Sequence, residues 1–510
     1  MQAGWPLPYS AAVGVLSSSE PVAGLDIHPP ERLAVGRGNA FLIAGYCYHP
    51  ELRTRRLWVE VAGTRQPADR WALPRRDVFD RARNGGDPGP RAFRSGFVAT
   101  PSLPPLPEAL DTEVTLVLSL ADGSEARATV ARIAVEPDLP RGRETPPGPW
   151  GEHAGPRVAI CMATYNPPAG LLRTQLDSIR EQSHANWICL ISDDGSEPAA
   201  LENLEHEIAG DPRFVLARGE HLGFYRNFER ALGMAPPSAD YVTLCDQDDR
   251  WHPDKLERLL GEIDGGAQLA YSDARVVDPA RKLLHPSYWT ARRNNYTNFG
   301  SLLLANSVTG AASLFRRELL DDVLPLPPNI GSGFHDHWLA MVALGLGRIA
   351  YVEDPLYDYV QHPGAVIGHS SANRRPNRRV WRHLMNRLRS PGTGARVVYY
   401  YKLQQQRLYA KVLRLRCWDR MAPAKRRAVR HLLNSDRGVV GLTWLLGRRV
   451  RRVWGHDETL DRELSYAYAL VSRRAISLWS VGRRRPSRLL PRDASVPPPP
   501  PLVPPSAGPR

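Results

Sequence analysis

Small polar clusters follow three apolar segments in the middle of the chain. The clusters are Thr164-Tyr165-Asn166, Asp193-Asp194-Gly195-Ser196 and Asp246-Gln247-Asp248-Asp249. Unpaired carboxylates repel one another, so a group of them favours a bound cation. Oxygen ligands of this kind suit Mg²⁺ or Mn²⁺, which proteins hold with one or two carboxylates and substrate phosphates. The residue types therefore indicate metal-assisted binding of a phosphate-containing ligand.

The third cluster by itself also suits a loop without a metal. Short Asp-rich turns are common as solvated loops and helix caps, and Asp246-Gln247-Asp248 alone does not distinguish these from a metal site. A calcium-binding loop is excluded, because Trp251 stands where that loop needs glycine and Pro253 interrupts it. No GxxxxGKS/T or GxGxxG segment follows the first apolar segment, which argues against an ordinary ATPase or dinucleotide enzyme.

The segments that position these clusters alternate between strand and helix patterns. The predicted strands cover residues 157–163, 187–192, 214–217, 241–245 and 268–273. Predicted helices follow Asn166-Pro167 or cover residues 201–208, 224–232 and 253–263. This alternation predicts an α/β domain with a mostly parallel sheet and helices on both faces. The three clusters should then meet at the carboxyl ends of the strands, where such sheets bind ligands.

The N-terminal part has a different pattern. Residues 1–24 are predicted to be a flexible start without a secretory signal, and residues 25–136 an all-β sandwich. Within the sandwich, Asp122-Gly123 separates two alternating runs and predicts a hairpin. A packing or spacer role is favoured for this domain over sugar binding. A Pro/Gly-rich linker follows at 137–156.

The C-terminal part carries the positive charge. Residues 374–510 contain 32 Lys and Arg against 7 Asp and Glu, a net charge of +25, whereas the preceding residues carry a net charge of −11. We expect a basic helical region at 371–486 and a Pro-rich disordered tail at 487–510. An anionic membrane surface is the favoured partner, a solvated helical bundle is the plain alternative, and nucleic acid is disfavoured because no recognised motif accompanies the charge.

One helix pattern in this basic region is amphipathic. Leu442, Leu445, Leu446, Val450 and Val453 share a face, and arginines 448, 449, 451 and 452 fall beside or opposite it. Arginine would then meet the lipid headgroups. No run of 18 apolar residues is present, and the five cysteines have no paired spacing, which favours reduced thiols. The expected location is cytoplasmic, at the inner face of the cell membrane.

Residues 157–370 resemble inverting glycosyltransferases of family two, which have the A-type fold. They are most similar to the rhamnosyltransferase-like members that build bacterial surface polysaccharide. The resemblance rests on seven segments in the family's order: RVAICMATYN, LISDDGS, HLGFYRNFERAL, YVTLCDQDDRWHPDKL, SVTGAASLF, HDHWLAMVALG and DPLYDYVQHPGAVIG. It implies transfer of a sugar, with rhamnose as one candidate, from a dTDP- or UDP-sugar to a glycan or lipid-linked glycan.

The resemblance also implies a role for particular residues. The positions that match nucleotide-sugar contacts are Thr164, Tyr165, Asn166, Asp193, Asp194, Arg226, Asp246 and Gly310. The positions that match the Mn²⁺ or Mg²⁺ site are Asp246, Asp248 and His362. Asp336 matches the catalytic base, although an Asp after His335 also suits a helix start, where it would meet the positive helix end.

The sequence departs from the family pattern at two positions. Val360 stands where relatives often have Arg, and Ala365 where they have Asn, which leaves the donor phosphate contact and the donor sugar open. Two other classes of protein are alternatives to a glycosyltransferase. A sugar nucleotidyltransferase would need a Gly-rich basic loop after the first strand, which MATYNPPAG lacks. A non-catalytic nucleotide-sugar or glycan-binding scaffold stays open, although it would tolerate loss of the acidic residues that this chain retains.

Overall fold

A computed structural model gives the structure of most of the chain. It describes residues 20–83, 89–139, 150, 155–289, 294–331, 333–362, 393–454, 458–479 and 496–497. Most of the predicted linker, most of the predicted tail and nearly all of the predicted flexible start lie outside these ranges. The first strand begins at Val22, inside the predicted start.

The N-terminal residues form two larger sheets and a short strand pair. The elements are β1 (Val22–Ile27), β2 (Arg32–Ala34), β3 (Asn39–Ala40), β4 (Ile43–Tyr48), β5 (Thr54–Val61), β6 (Thr64–Pro67), β7 (Arg70–Leu73), α1 (Arg76–Arg83), α2 (Gly89–Phe93), β8 (Gly96–Ala99), β9 (Ser102–Leu103), β10 (Leu110–Leu120) and β11 (Glu125–Glu136). Their order is β1-β4-β8-β7 in one sheet and β2-β11-β10-β5-β6 in the other, with β3 paired to β9. Both larger sheets contribute to one apolar core, and the turn at Asp122-Gly123 joins β10 to β11.

The middle of the chain forms one large sheet with helices. The elements are β12 (Val158–Thr164), α3 (Ala169–Arg180), β13 (Trp187–Asp193), α4 (Pro198–Ile208), β14 (Phe214–Arg218), α5 (Phe224–Gly233), β15 (Tyr241–Cys245), β16 (Arg250–Trp251), α6 (Lys255–Asp264), β17 (Leu269–Val277), β18 (Leu283–His285), α7 (Phe299–Leu302), β19 (Ser313–Arg316), α8 (Leu320–Val323), α9 (His335–Leu346) and β20 (Ile349–Val360). The order is β14-β13-β12-β15-β19-β17-β20-β16, with β18 paired to β17.

The predicted α/β fold with a mostly parallel sheet is confirmed. Strands β12 to β15 run parallel, and only β19 opposes its neighbours β15 and β17 in the middle of the sheet. All seven residues of β13 are buried, as expected of a strand covered by helices on both faces. Helix α3 begins at Ala169, later than predicted, because Pro168 is extended and is the N-cap residue. Asn166 has a φ of 44°, and its side chain accepts the N–H of Glu197 instead of capping the helix.

The C-terminal helices share the core of the middle sheet. They are α10 (Thr393–Val397), α11 (Gln404–Cys417), α12 (Pro423–Leu433), α13 (Val439–Val450) and α14 (Arg462–Trp479). A π-helical turn leads from α10 into α11, and Leu408, Tyr409 and Leu413 of α11 lie in the same apolar cluster as strands β12 and β13. The five cysteines are buried and unbridged. In the described part of the chain, no helix is both long and apolar enough to cross a membrane.

Arginines of α11 and α14 connect the C-terminal helices to the other two regions. The Arg416 guanidinium donates to the backbone oxygens of Gly38 at 2.6 Å and Asp322 at 3.0 Å. Between α12 and α13, the fully buried Asp436 accepts the hydroxyl of Tyr399 at 2.6 Å and pairs with Arg473 of α14 at 2.5 Å. Two more cations surround Asp436, namely Arg70 of β7, at 3.3 Å, and Arg407 of α11, at 3.7 Å. One carboxylate thus joins the N-terminal sheets to the C-terminal helices.

Asp436→Asn should destabilise the protein by about 3–5 kcal/mol, because it leaves buried guanidinium groups without a counter-charge. Guanidinium chloride unfolding, followed by circular dichroism, would show a lower midpoint. Asp419→Asn is the matched control, since Asp419 is exposed on the same part of the chain. Equal midpoints for the two variants would contradict a structural role of Asp436.

Candidate active site

Asp193 shapes the turn that follows β13. Its carboxylate accepts the N–H groups of Gly195 and Ser196 at 3.1 and 2.9 Å and the hydroxyls of Ser196 and Thr164 at 2.5 and 3.0 Å. Asp193 and Thr164 are both buried. Because Thr164 ends the neighbouring strand β12, the carboxylate fixes the two polar clusters against each other. Its oxygens are directed to the protein rather than outward.

Asp194 holds the loop before α5. Its two oxygens accept the N–H groups of Leu222 at 2.9 Å and Gly223 at 2.8 Å, and the His221 Nδ1 lies 3.0 Å from Oδ2. Arg230 of α5 supports the same turn, donating to the Asp193 backbone oxygen at 2.6 Å with a nitrogen 3.6 Å from the Asp194 carboxylate. The loop at 221–223 is thereby drawn to the carboxyl edge of the sheet.

Two aromatic rings lie at this edge. Tyr165 is 45% exposed, and its ring centroid lies 4.4 Å from that of His221 at an angle of 35°. The Gln247 side chain fixes the backbone of Tyr165 in both directions, accepting its N–H at 2.8 Å and donating to its carbonyl oxygen at 3.2 Å. An exposed aromatic surface of this kind can stack on a nucleobase. Gln247 ties that surface to the acidic residues on either side of it.

The acidic residues after β15 have little positive charge around them. Burial, with the neighbouring Asp248 and Asp336, raises the pKa of Asp246 to about 7. Asp249 is buried, one oxygen accepts the N–H of Val360 at 3.2 Å, and the other has no hydrogen-bond partner. Lys255 lies behind them, donating to the Ala311 carbonyl oxygen at 2.5 Å, and burial lowers its pKa to about 7. The carboxyl groups therefore lie close together with little compensating positive charge, which disfavours their ionised forms.

A divalent cation fits this donor set. Asp248 and His362 lie together, with 2.8 Å between the carboxylate oxygen and Nε2, and this hydrogen bond raises the pKa of His362. One buried oxygen of Asp249 has no hydrogen-bond partner, and a cation nearby would stabilise it. Oxygen and imidazole donors suit Mn²⁺ and Mg²⁺. In the described ranges, no three acidic, histidine or cysteine side chains are already gathered around one point as ligands.

Asp336 lies in the first turn of α9, facing the same edge. Its Oδ1 accepts the N–H of His337 at 2.6 Å, so the helix-start interaction that the sequence suggests is present. Burial is the main cause that raises its pKa, to about 7. The backbone of Gly310 packs tightly here, since a Cβ at that residue would lie 3.2 Å from the His335 ring and 3.5 Å from Asp336. His335 itself stacks on Phe228, and burial lowers its pKa to about 3.

Helix α11 supports the segment that leads to Asp336. The Gln405 side chain accepts the N–H of Ile330 at 2.8 Å and donates to the Pro328 carbonyl oxygen at 3.1 Å. Tyr409 donates toward the Phe334 oxygen at 3.5 Å, and a Cβ on Gly333 would lie only 2.3 Å from its hydroxyl. A helix about 70 residues further along the chain therefore positions the predicted base.

Comparison with known proteins concerns the domain that carries this site. Residues 159–324 match the family model described as glycosyl transferase family 2. This stretch is a glycosyl transferase family 2 domain. Together with the mixed sheet, the match gives the α/β A-type glycosyltransferase fold.

Individual relatives of the glycosyltransferase domain match only part of the chain. EpsH of Bacillus subtilis, which bears the name of a glycosyltransferase, is 26% identical over 221 residues, or 42% of this chain and 63% of EpsH. The uncharacterized protein y4gI of Sinorhizobium fredii is 32% identical over 124 residues, or 24% of this chain and 13% of y4gI. The chain thus spans less than two thirds of these curated relatives.

Two solved structures show a weaker similarity. Residues 1–349 of TarS from S. aureus, in complex with UDP-GlcNAc, have a TM-score of 0.36 and 16% identity, covering 63% of this chain and 90% of that structure. The mannosyltransferase PcManGT from Pyrobaculum calidifontis, with GDP-Man and Mn²⁺, has a TM-score of 0.32 and 18% identity, covering 65% and 91%.

Several residues of the glycosyltransferase site were not found from the sequence. Arg226, the predicted nucleotide contact, pairs with Glu229 at 2.5 Å, whereas Arg230, one turn later, supports the Asp193-Asp194 turn. The four-residue spacing of Arg226 and Arg230 places both on one face of the helix, which could have indicated Arg230 as a second candidate. Gln247 and Lys255 stand within the quoted segment YVTLCDQDDRWHPDKL. Nothing local indicated the role of Gln405, because its partners are distant in sequence.

Asp248→Asn should weaken Mn²⁺ binding in the presence of UDP by about tenfold or more, because one anionic donor is lost. Isothermal titration of Mn²⁺ into the full chain with saturating UDP would measure the change. Asp254→Asn is the control, since Asp254 is a neighbouring acid that pairs with Arg258 at the surface. Unchanged affinity in Asp248→Asn would contradict a metal contact at this carboxylate.

Proposed function

We propose that the protein is a metal-dependent inverting glycosyltransferase of the hexosyl type. It moves a sugar, with rhamnose as one candidate, from a dTDP- or UDP-sugar to a hydroxyl of a glycan or lipid-linked glycan. One observation carries the proposal: a family 2 domain in which the Asp246-Gln247-Asp248 cluster and Asp336 converge on one sheet edge. Assembly of bacterial surface polysaccharide is the process that this activity would serve.

The donor half of the site would bind the nucleotide at its base and at its diphosphate. Tyr165 and His221 supply an exposed aromatic surface for the base, beside the turn fixed by Asp193. Asp246, Asp248 and His362 would hold Mn²⁺ or Mg²⁺, which when bound stabilises negative charge on the diphosphate leaving group as a Lewis acid. The scarcity of positive charge around these carboxyl groups supports that assignment, because a cation would stabilise their ionised forms.

The acceptor half of the site would remove a proton. The attacking hydroxyl must lose its proton as it forms the new bond to the anomeric carbon, and the Asp336 carboxylate is the proposed acceptor of that proton. The raised pKa suits a base that works near neutral pH. Direct displacement with one base, and no covalent sugar–enzyme intermediate, inverts the configuration at the anomeric carbon.

The location that suits this activity is the cytoplasmic face of the cell membrane, where lipid-linked acceptors and nucleotide sugars meet. Support for it comes from the net charge of +25 in residues 374–510.

Release of nucleoside diphosphate from a panel of UDP-, dTDP- and GDP-sugars tests the proposed activity. Each donor would be tested with Mn²⁺, with Mg²⁺ and with chelator, with and without crude membrane glycolipids. We expect turnover of one donor class that chelator abolishes. Nucleotide-sugar binding without turnover in the presence of glycolipids would instead favour the non-catalytic scaffold.

Asp336→Asn should lower kcat by about 10²-fold or more and leave donor binding unchanged, because the proposed base is lost. For the unaltered protein, kcat/KM should rise with pH up to about 7 and then level, since the carboxylate accepts a proton only when ionised. Asp321→Asn is the control, because Asp321 pairs with Arg317 on the surface of the same region. Full activity of Asp336→Asn would rule out this base.

Gln405→Ala should lower kcat about tenfold with little change in donor KM, because the segment before Asp336 loses two hydrogen bonds that position it. Steady-state kinetics measure the split between kcat and KM. Gln404→Ala is the matched control on the same helix, since Gln404 bonds Arg407 instead of that segment. Equal losses in both variants would indicate a general packing effect and contradict the positioning role.

A further inference from the structure

Helix α13 has its charged side chains turned toward the protein. Arg448 donates to the Asn298 side chain at 2.8 Å, and Arg449 forms an ion pair with Asp461. Arg451, just after the helix, lies 3.2 Å from Glu458. These three arginines, which the amphipathic pattern places at lipid headgroups, are therefore engaged within the molecule.

Another side of α13 exposes mainly apolar side chains, together with Thr443. Its apolar members, which we call the outer face of α13, are 43% to 69% exposed: Val439, Val440, Leu446, Val450 and Trp454. Leu446 and Val450 are four residues apart and lie on one side of the helix, and Leu445 is fully buried and anchors it. Trp454 ends the short 3₁₀ turn that follows the helix. Five large apolar side chains grouped on a surface indicate a binding face rather than scattered exposure.

The surroundings of this face are positively charged. Arg427 and Arg430 of α12 are exposed, whereas Arg437, just before α13, is exposed but lies 3.8 Å from the Asp69 carboxylate. Helix α12 packs beside α13, with His431 stacked on Trp444. The sequence from Pro423 to Trp454 contains a single acidic residue, Asp436, and it is fully buried. The exposed apolar side chains of α13 and the exposed arginines of this stretch together complement an anionic surface.

We propose that the outer face of α13 inserts into the interfacial layer of an anionic membrane, with the exposed Arg427 and Arg430 at the headgroups. This deepens the membrane location proposed above by naming the surface and the mode of binding. The apolar side chains contribute by burial, which salt does not screen, and the arginines by attraction to lipid phosphates, which salt does screen.

A second copy of the chain fits this face less well. A symmetric pair formed through α13 would bring the same patch of both copies together. Exposed Arg427, Arg430 and Arg437 would then approach their own counterparts, and like charges across an interface oppose association. Anionic lipid relieves that repulsion instead of adding to it.

Vesicle flotation with the full chain tests the proposal. Vesicles of phosphatidylcholine alone or with phosphatidylglycerol are mixed with protein in the absence of any sugar nucleotide, so the result does not depend on glycosyltransferase activity. We expect binding to the anionic vesicles that falls only a fewfold when salt rises from about 0.1 M to about 0.5 M. Leu446→Glu/Val450→Glu should lower this binding about tenfold or more.

Two further variants separate the mode of binding from damage to the fold. Leu283→Glu/Leu110→Glu introduces the same charges at two exposed leucines of other regions and should bind as the unaltered protein does. Arg427→Gln/Arg430→Gln keeps the apolar face and should weaken binding to anionic vesicles mainly at low salt. Nucleotide binding and circular dichroism check that each variant is folded.

Three results would overturn the proposal. The unaltered protein could remain unbound to anionic vesicles at low salt, or Leu446→Glu/Val450→Glu could bind as well as the control variant. Sedimentation velocity could also show an unaltered dimer that this variant splits while neither form floats, which would assign the face to a second copy. None of these results depends on release of nucleoside diphosphate, so they test the membrane proposal independently of the proposed activity.

Discussion

The crowding of carboxylates at the carboxyl edge of the sheet is the constraint on which the site depends. Asp193 and Asp194 are held by backbone N–H groups of two loops. Burial and the neighbouring Asp248 instead raise the pKa of both Asp246 and Asp249, and Lys255 lies behind them. The same edge thus contains acids that shape loops and acids that lack compensating positive charge. A cation bound at the second group would stabilise the ionised acids and the diphosphate together.

The position of Asp336 depends on parts of the chain that are far apart. Gly310 comes close to the helix start because it has no side chain, and Gln405 and Tyr409 support the preceding segment from the other side. The C-terminal helices are therefore structural components of the site. Asp436 extends this connection to the N-terminal sheets, which gives them a mechanical link to the same core.

The number of basic residues in the C-terminal part does not predict how many of them are exposed. Residues 374–510 are strongly basic, yet Arg416, Arg448 and Arg473 are largely engaged by carbonyl oxygens and carboxylates inside the molecule. What remains exposed beside α13 is a smaller set of arginines around an apolar stripe. Pairing within the fold, rather than the count of charges, determines which surface can meet an anionic partner.

The sequence by itself determined the alternation of strands and helices, the α/β fold and the polar clusters at strand ends. These follow from local periodicity and from the rule that parallel strands end at one edge. The structure alone decided that Gln247 ties Tyr165 to the acidic cluster, that Gln405 reaches the segment before Asp336, and that the face of α13 divides between buried Leu445 and exposed Leu446. Such contacts join residues distant in the chain, so no local pattern encodes them, and burial depends on which neighbours the completed fold supplies.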